Sequence, residues 1–220
     1  MCTVVILARM TGAVPNGATE AAGMPGLKEW AVIVHALLAG EQIVDIRKGG
    51  LREDGRRFSV PTDRCWLSPT VEHQDTTLLA PAYAHRIELA SGSPVGGPVT
   101  VPGWAEIVDT AIVTETEQVE AVATKSIWSR DYVVSRFRWK RRDPLTVLAL
   151  RVHVLEEPIT IPWRDSYGGC TSWVDYDALP ADLAAVGSRP ALSDEAFAAR
   201  LAGVRAALPT ECWTGPPEPR

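Results

Sequence analysis

A run of apolar and β-branched residues at 145–155, "LTVLALRVHVL", is the sequence feature that most constrains the fold. Its length and its content of leucine and valine are typical of a buried strand. Pro158 and Pro162 follow it, and because proline breaks a strand ladder we expect the strand to end there. Three further stretches alternate or are extended and predict strands, at 41–48, 57–70 and 99–114.

Helical patterns are mixed with these strands. The stretch "LKEWAVIVHALLAGEQ" (27–42) has helical spacing and reaches a glycine of the kind that ends helices. Two shorter helices are predicted at 115–125 and 129–139. Near the C-terminus, Ser193 is a suitable N-cap, and the acidic residues after it predict a helix over 192–208. Because strands and helices mix without a regular βαβ rhythm, the predicted fold class is α+β.

The length of 220 residues suits one good-sized domain with tails. Small, turn-rich residues predict a flexible leader over 1–26, and the proline-rich end predicts a disordered tail over 213–220. Between them we expect one α+β domain over 27–178 and a C-terminal helical segment over 179–212 that packs on it.

Composition points to a globular protein of the cytoplasm. The apolar fraction of 46% and the charged fraction of 22% are ordinary for such a protein. No segment approaches the roughly 20 apolar residues needed to cross a bilayer, and no secretory signal is recognisable. The four cysteines are far apart, so a disulfide framework is not expected.

Two clusters of basic residues stand out against the net charge of −5. The first lies in "DIRKGGLREDGRRF" (45–58), and the second, between 125 and 151, holds eight basic residues and two acidic ones. Because the whole chain is anionic, affinity for phosphate must come from such local patches. The residues of the two clusters that we expect to contact nucleic acid are Arg47, Lys48, Gly49, Gly50, Arg52, Arg136, Arg138, Lys140 and Arg141.

The residue types in these clusters suit phosphate and bases. Adjacent glycines let a backbone come close to an anion, and arginine presents a planar fork to phosphate oxygens. The segment 49–55 would also connect the strands at 41–48 and 57–70 as a hairpin. Trp104 and Trp173 are candidate walls for a stacked base. The alternative is that the cations form solvated faces and the tryptophans fill the core.

Enzymatic activity is a second hypothesis. A hydrolase or nuclease would use Glu72 and His73 together with Glu53 or Asp45. Cys170, next to two glycines, is a further candidate for a reactive residue. A third hypothesis is a protein-interaction subunit of a defence or restriction complex, whose basic loop docks on an acidic partner.

Other chemistry has weaker signals. Removal of Met1 would leave Cys2 as an N-terminal nucleophile, but the motif expected downstream is absent. The histidines lack metal-ligand spacing, so no metal site is predicted. Neither a Walker lysine motif nor GxGxxG is present, so no nucleotide cofactor is predicted.

From residue 28 to residue 176 the chain resembles a bacterial family known as domain of unknown function 1802. The stretches that carry this resemblance are "LKEWAVIVHAL", "RKGGLRE", "RFSVPTDRCWLSPTVEHQ", "WAEIVD", "RFRWKRRDPLTVLALRV" and "PWRDSYGGCTSWVD". The family implies little chemistry. Its association with restriction-endonuclease-type domains favours nucleic acid as the partner.

The chain also resembles the ASCH domains in "LLAGEQIVDIRK", "WAEIVDTAIVTE" and the segment that ends in "GGCTSWVDY". This resemblance implies a small mixed β-barrel of the PUA-like type, with flanking helices and a C-terminal helix, that binds RNA, DNA or modified nucleobases. It also implies that Asp45 and Arg47 lie at the cleft with Trp173 nearby. Members that hydrolyse a modified cytidine carry Lys-Thr where this chain has Gln42 and Ile43, so the resemblance does not extend to that activity.

Overall fold

The computed structural model describes residues 23–49, 58–139, 143–180 and 182–218. The strands in these ranges are β1 (Gly26–Trp30), β2 (Val44–Lys48), β3 (Arg64–Thr70), β4 (Val99–Val113), β5 (Leu145–Ile161), β6 (Trp173–Val174), β7 (Ser188–Pro190) and β8 (Trp213–Gly215). The α-helices are α1 (Ala31–Leu38), α2 (Thr116–Ala123), α3 (Arg130–Arg138) and α4 (Asp194–Arg205). The predicted α+β class is confirmed.

One sheet contains all eight strands of the described ranges. Its order is β2-β5-β4-β3-β1-β6, with β7 added to β5 and β8 added to β4. Neighbouring strands run antiparallel except β1 and β3, which are parallel. The two long central strands, β4 and β5, therefore tie both halves of the sheet together.

Irregular pairing bends the two central strands. The register between β4 and β5 shifts between Val101 and Gly103, and again between Ile107 and Asp109. Such bulges bend a strand and increase its twist. The bent sheet covers two hydrophobic cores: a larger one against α1, α3 and α4, and a smaller one around Trp66, Trp104 and Tyr167.

The prediction of a closed β-barrel is wrong. In the described part of the chain the sheet is open, with β2 at one end and β6 at the other. The two-residue strand β6 pairs with β1 alone, through Gly26 and Leu27, so backbone pairing does not continue from it to β2.

Two predictions about the first strands are also wrong. The segment 27–42 was expected to be helical throughout, but its first residues form β1 and only Ala31–Leu38 forms α1. The strands β2 and β3 were expected to pair as a hairpin, but β2 pairs with β5, and β3 lies between β4 and β1. In both cases pairing with residues distant in sequence overrides the local pattern.

Pro158 does not end β5, which continues to Ile161. The pairing with β4 skips the residues between Val154 and Ile159, so Pro158 lies where the ladder requires no N–H donor. Pro162, in contrast, directly follows the last residue of the strand.

The C-terminal segment is ordered further than predicted. Disorder was expected from residue 213, but β8 pairs with β4. Buried Asp109 of β4 holds this region, because its Oδ1 accepts from Gly215 N at 3.0 Å and its Oδ2 accepts from Arg205 Nη2 at 2.6 Å. The buried carboxylate of Asp109 thus binds both the end of α4 and β8.

Local signals explain the later helices. Ser129 Oγ accepts from Tyr132 N at the start of α3, and Ser193 Oγ accepts from Ala196 N at the start of α4, as expected for N-cap serines. Phe197 and Val204 bury one side of α4 against the larger core. None of the helices within the described ranges has the length and apolar character needed to cross a bilayer.

The bulge at Gly103 gives a stability prediction. A Cβ built at this position would lie 2.5 Å from the main-chain oxygen of His153, which a neighbouring strand holds in place. We expect Gly103→Ala to lower the free energy of unfolding by about 1–3 kcal/mol. Urea denaturation measures this. Gly23→Ala is the control, because a Cβ there meets nothing within 4 Å, and an equal loss in both variants would contradict the prediction.

Candidate nucleic-acid interface

A buried cluster of charges joins β2, at one end of the sheet, to β1, near the other end. Arg47 of β2 donates from Nη1 to Glu29 Oε2 at 2.8 Å and from Nη2 to the main-chain oxygen of Lys28 at 2.5 Å. Its Nε lies 3.1 Å from Asp45 Oδ2, on the same face of β2 because the two residues are two positions apart. All three side chains are at least nine-tenths buried. They therefore connect β2 to the end of β1, where backbone pairing is absent.

Glu29 lies just before α1, and the pKa of its carboxyl group is higher than usual. Its Oε1 accepts from Trp30 N at 2.6 Å, next to the helix N-terminus. Burial raises the pKa of Glu29 to about 7, and the repulsion of Asp45 adds to the rise, while the Arg47 guanidinium opposes it. Asp45 has no hydrogen-bond partner for either carboxylate oxygen among the described residues. Two carboxylates thus share one guanidinium in a site with little solvent.

Aromatic rings surround this charge cluster. The Arg47 guanidinium carbon lies 5.6 Å from the centre of the Phe58 ring, and Phe58 stacks on Trp173 with 5.8 Å between ring centres. The Trp173 indole donates to Ser59 O at 2.8 Å and is half-buried. The structure therefore places Trp173 near Arg47, as the ASCH resemblance implies.

The two basic clusters of the sequence meet at the end of β2. Lys48 Nζ donates to Phe137 O at 2.6 Å and lies 5.5 Å from the centre of the Phe137 ring, although the two residues are 89 positions apart. The carbonyl belongs to the last turn of α3, where a lysine is a favourable C-terminal partner. In the sheet, Lys48 lies opposite Leu145, the first residue of β5. The last residue of β2 and the first residue of β5 therefore lie next to each other in the sheet.

The end of α3 carries the more exposed cations. Arg138 is exposed, and Arg136 is half-buried with its Nη1 donating to Tyr132 Oη at 2.8 Å. Trp139, which follows the helix, has 54% of its surface exposed. Of the residues expected to contact nucleic acid, Gly50, Arg52, Lys140 and Arg141 lie outside the described residues.

Arg47, Lys48 and Gly49 were expected to present a phosphate-binding turn, but all three residues are buried. Arg47 and Lys48 are each 6% exposed, and Gly49 is buried as well. The two cationic groups are directed to a carboxylate and to main-chain oxygens, and these contacts stabilise the fold.

Trp104 does not share a cleft with Arg47 and Trp173. It is 7% exposed and belongs to the smaller core, whereas Trp173 packs against the larger one. Its ring stacks on His153 with 3.9 Å between centres and an angle of 4° between planes, and its indole donates to Ser188 Oγ. Burial lowers the pKa of His153. Trp104 is therefore part of the packing of β4 and not a wall for a ligand.

Of the hydrolase candidates that the structure describes, Glu72 and Asp45 do not lie together. Glu72 lines a small pocket with Lys28. Burial lowers the pKa of Lys28, and the nearby Glu72 and Cys170 partly offset this effect. Lys28 and Glu29 are consecutive in β1, so Glu72 and Asp45 lie on opposite sides of that strand. Glu53, the other candidate, lies outside the described residues.

His73 has a positional role that the sequence does not reveal. Its backbone φ is 60°, in the left-handed region that few side chains adopt. This turn brings Gln74 to α1, where Gln74 Oε1 accepts from Val32 N at 3.1 Å and satisfies an N-terminal amide of the helix. His73 itself is exposed.

Sequence reasoning also missed Glu29, because the helical pattern over 27–42 concealed a strand that ends in a buried acid. The signal available was the isolated Glu in "GLKEW", an acid directly before an apolar run. Among the described residues, no three His, Cys, Asp or Glu side chains come together as a metal site would require.

The charge cluster gives a prediction for Arg47. Removing its guanidinium leaves Glu29 and Asp45 buried without their cation, so we expect Arg47→Met to lower the free energy of unfolding at pH 8 by about 3–5 kcal/mol. The loss should be smaller at pH 5, where Glu29 holds a proton because burial raises its pKa to about 7. Urea denaturation at both pH values checks this. Arg189→Met, at an exposed position of β7, should change stability little.

The raised pKa of Glu29 gives a second prediction. Between its ordinary value of 4.5 and about 7, the folded protein holds a proton at Glu29 that the unfolded chain has lost. The stability contributed by this group therefore falls as pH rises through that window, by at most about 3 kcal/mol. Urea denaturation from pH 5 to pH 8 should show a steeper decline for the wild type than for Glu29→Gln. Parallel curves would contradict the assignment, and Glu88→Gln, at an exposed site, is the control.

No curated protein matches the chain. Among solved structures, the chain is similar to an ASCH protein from Zymomonas mobilis, with a TM-score of 0.37 and 12% identity over 83% of this chain and 96% of that one. The family described as domain of unknown function (DUF1802) matches residues 26–203, which confirms the resemblance carried by residues 28–176. The chain therefore belongs to the DUF1802 family.

Proposed function

We propose that the protein binds nucleic acid through the α3–β2 surface, defined by Arg136, Arg138 and Trp139 at the end of α3, with the buried Lys48 of β2 beneath it. The observation that carries the proposal is the exposure of Arg138 and of 54% of Trp139 at the end of α3, the helix that Lys48 Nζ holds against β2 by donating to Phe137 O. Lys48 thus supports the helix whose end presents the exposed cation and indole.

Charge supports a phosphate-rich partner. The chain has a net charge of −5, so nonspecific attraction of the whole molecule to a polyanion is unfavourable. Arg136 and Arg138 nevertheless lie two positions apart in the last turn of α3, and the sequence continues with three more cations at 140–142. Arginine in such a run suits phosphate oxygens because its planar fork forms paired hydrogen bonds.

The exposed indole supports contact with an unpaired base. Trp139 stands between Arg138 and Lys140 in the sequence and exposes 54% of its surface. A large exposed ring beside cations is the combination that stacks on bases while the cations hold the backbone, at about 1–3 kcal/mol per stacked base. We therefore expect single strands to bind more tightly than duplexes of equal length.

The buried charges support this surface from beneath. Arg47 and Lys48 fix the end of β2 against β1 and α3, so the loss of either would displace the surface without removing a phosphate contact. The direct contacts are assigned to Arg138 and Trp139, the exposed residues at the end of α3.

Charge reversal at Arg138 tests the proposal. Fluorescence anisotropy with labelled single-stranded and duplex RNA and DNA should show binding that weakens strongly between about 50 and about 200 mM salt. We expect Arg138→Glu to lower affinity by about tenfold or more at low salt. Arg189→Glu changes net charge equally on β7 and should have little effect.

Trp139→Ala separates stacking from charge. It should weaken single-strand binding by about fivefold to a hundredfold and leave duplex binding nearly unchanged. Circular dichroism of each variant checks the fold. Binding indifferent to salt, or reduced equally by Arg138→Glu and Arg189→Glu, would overturn the proposal.

A further inference from the structure

A cavity of about 260 Å³ lies between residues 41–43, the connection from α2 to α3, and α4. Its apolar lining comes from Ile43, Ile127 and Val204, each at most 3% exposed. Tyr83 contributes an aromatic ring. The volume is close to the lower limit of small-molecule sites in proteins, so it suits a compact ligand.

Positive charge predominates at the cavity. Lys125 and Arg200 line it from different walls. Glu41 is the one acidic lining residue, and Arg86 forms an ion pair with its carboxylate. No acidic side chain of the described residues forms an ion pair with Lys125 or Arg200. Two cations without a carboxylate partner therefore line the cavity, in a chain whose net charge is −5.

Hydrogen bonds hold the walls in position. Buried Gln42 accepts from Ile127 N at 2.9 Å and donates from Nε2 to Val44 O at 2.8 Å, which ties the 41–43 segment to the α2–α3 connection. Arg200 Nη1 donates to Glu41 O at 2.6 Å and ties α4 to the same segment. A site preformed in this way costs a ligand little reorganisation.

The absence of a side chain at Gly203 leaves space open at the cavity. It lies in the last turn of α4, where glycine is a poor helix former, and it lines the cavity. A Cβ built at Gly203 would meet nothing within 4 Å, so packing does not require the glycine. The backbone also has no positive φ there. Its missing side chain leaves room beside Arg200.

We propose that this cavity binds a small organic anion, with an apolar or aromatic body against Ile43, Ile127 and Tyr83 and a phosphate or carboxylate group between Lys125 and Arg200. The site is separate from the nucleic-acid surface, since neither Arg138 nor Trp139 lines it. Either proposal can fail without the other.

Matched ring compounds test the ligand class. Phenyl phosphate and benzoate carry an anionic group on an aromatic body, and benzamide is a neutral compound of similar shape. Titration of the full chain, followed by NMR or calorimetry, should show binding in the order phenyl phosphate, benzoate, benzamide. Failure of phenyl phosphate to bind at about 10 mM, or equal binding of benzamide, would overturn the proposal.

Variants locate the site. Lys125→Met and Arg200→Met should each weaken phenyl phosphate binding about tenfold or more, because each removes a charge-assisted contact. Gly203→Leu should block binding while α4 stays folded, since leucine favours helices. Arg189→Met is the control for charge, and Ala199→Leu, at an exposed site of the same helix, is the control for bulk. Loss of binding in the controls, or its retention in Gly203→Leu with an unchanged circular dichroism spectrum, would contradict the assignment.

Discussion

The contact between Arg47 and Glu29 is the interaction on which the rest of the structure depends. The sheet is open, and at this point the end of β2 meets the end of β1 through side chains. Burying these charges is costly unless they are paired, and one guanidinium serves two carboxylates here. The neighbouring Lys48 then reaches the last turn of α3. The position of α3 relative to the sheet follows from this pair of adjacent cations.

The basic residues of the sequence consequently divide into two kinds. Arg47 and Lys48 are buried and engaged within the fold, whereas Arg138 is exposed. Composition and spacing do not separate these kinds, because the same side chain suits an internal carboxylate and an external phosphate. Only strand pairing decides which cation is covered. The hypothesis of nucleic-acid binding therefore rests on the end of α3 and not on the glycine turn after β2.

Local signals made much of the fold predictable. The long apolar pattern of β5, the extended segment of β4 and the Ser193 N-cap of α4 act through neighbouring residues, and each predicts the type of its element. The parallel pairing of β1 with β3 depends on residues about 40 positions apart, so the helical pattern over 27–42 misled the assignment. The candidate site was predictable to the same extent: Trp173 lies near Arg47, but Trp104 packs in a separate core.

The anchoring of β8 by Asp109 has a consequence for biosynthesis. Thr110 and Gly215 pair across 105 positions, and β6 joins β1 across a still longer interval. Structures rich in such distant contacts fold slowly, because chain entropy is lost before the contacts form. On the ribosome, backbone hydrogen-bonding groups at the edge of β4 lack their partners until the residues of β8 have emerged. The sheet therefore stays incomplete until residues 213–215 have been synthesised, and until then the exposed strand edge favours protection by a chaperone.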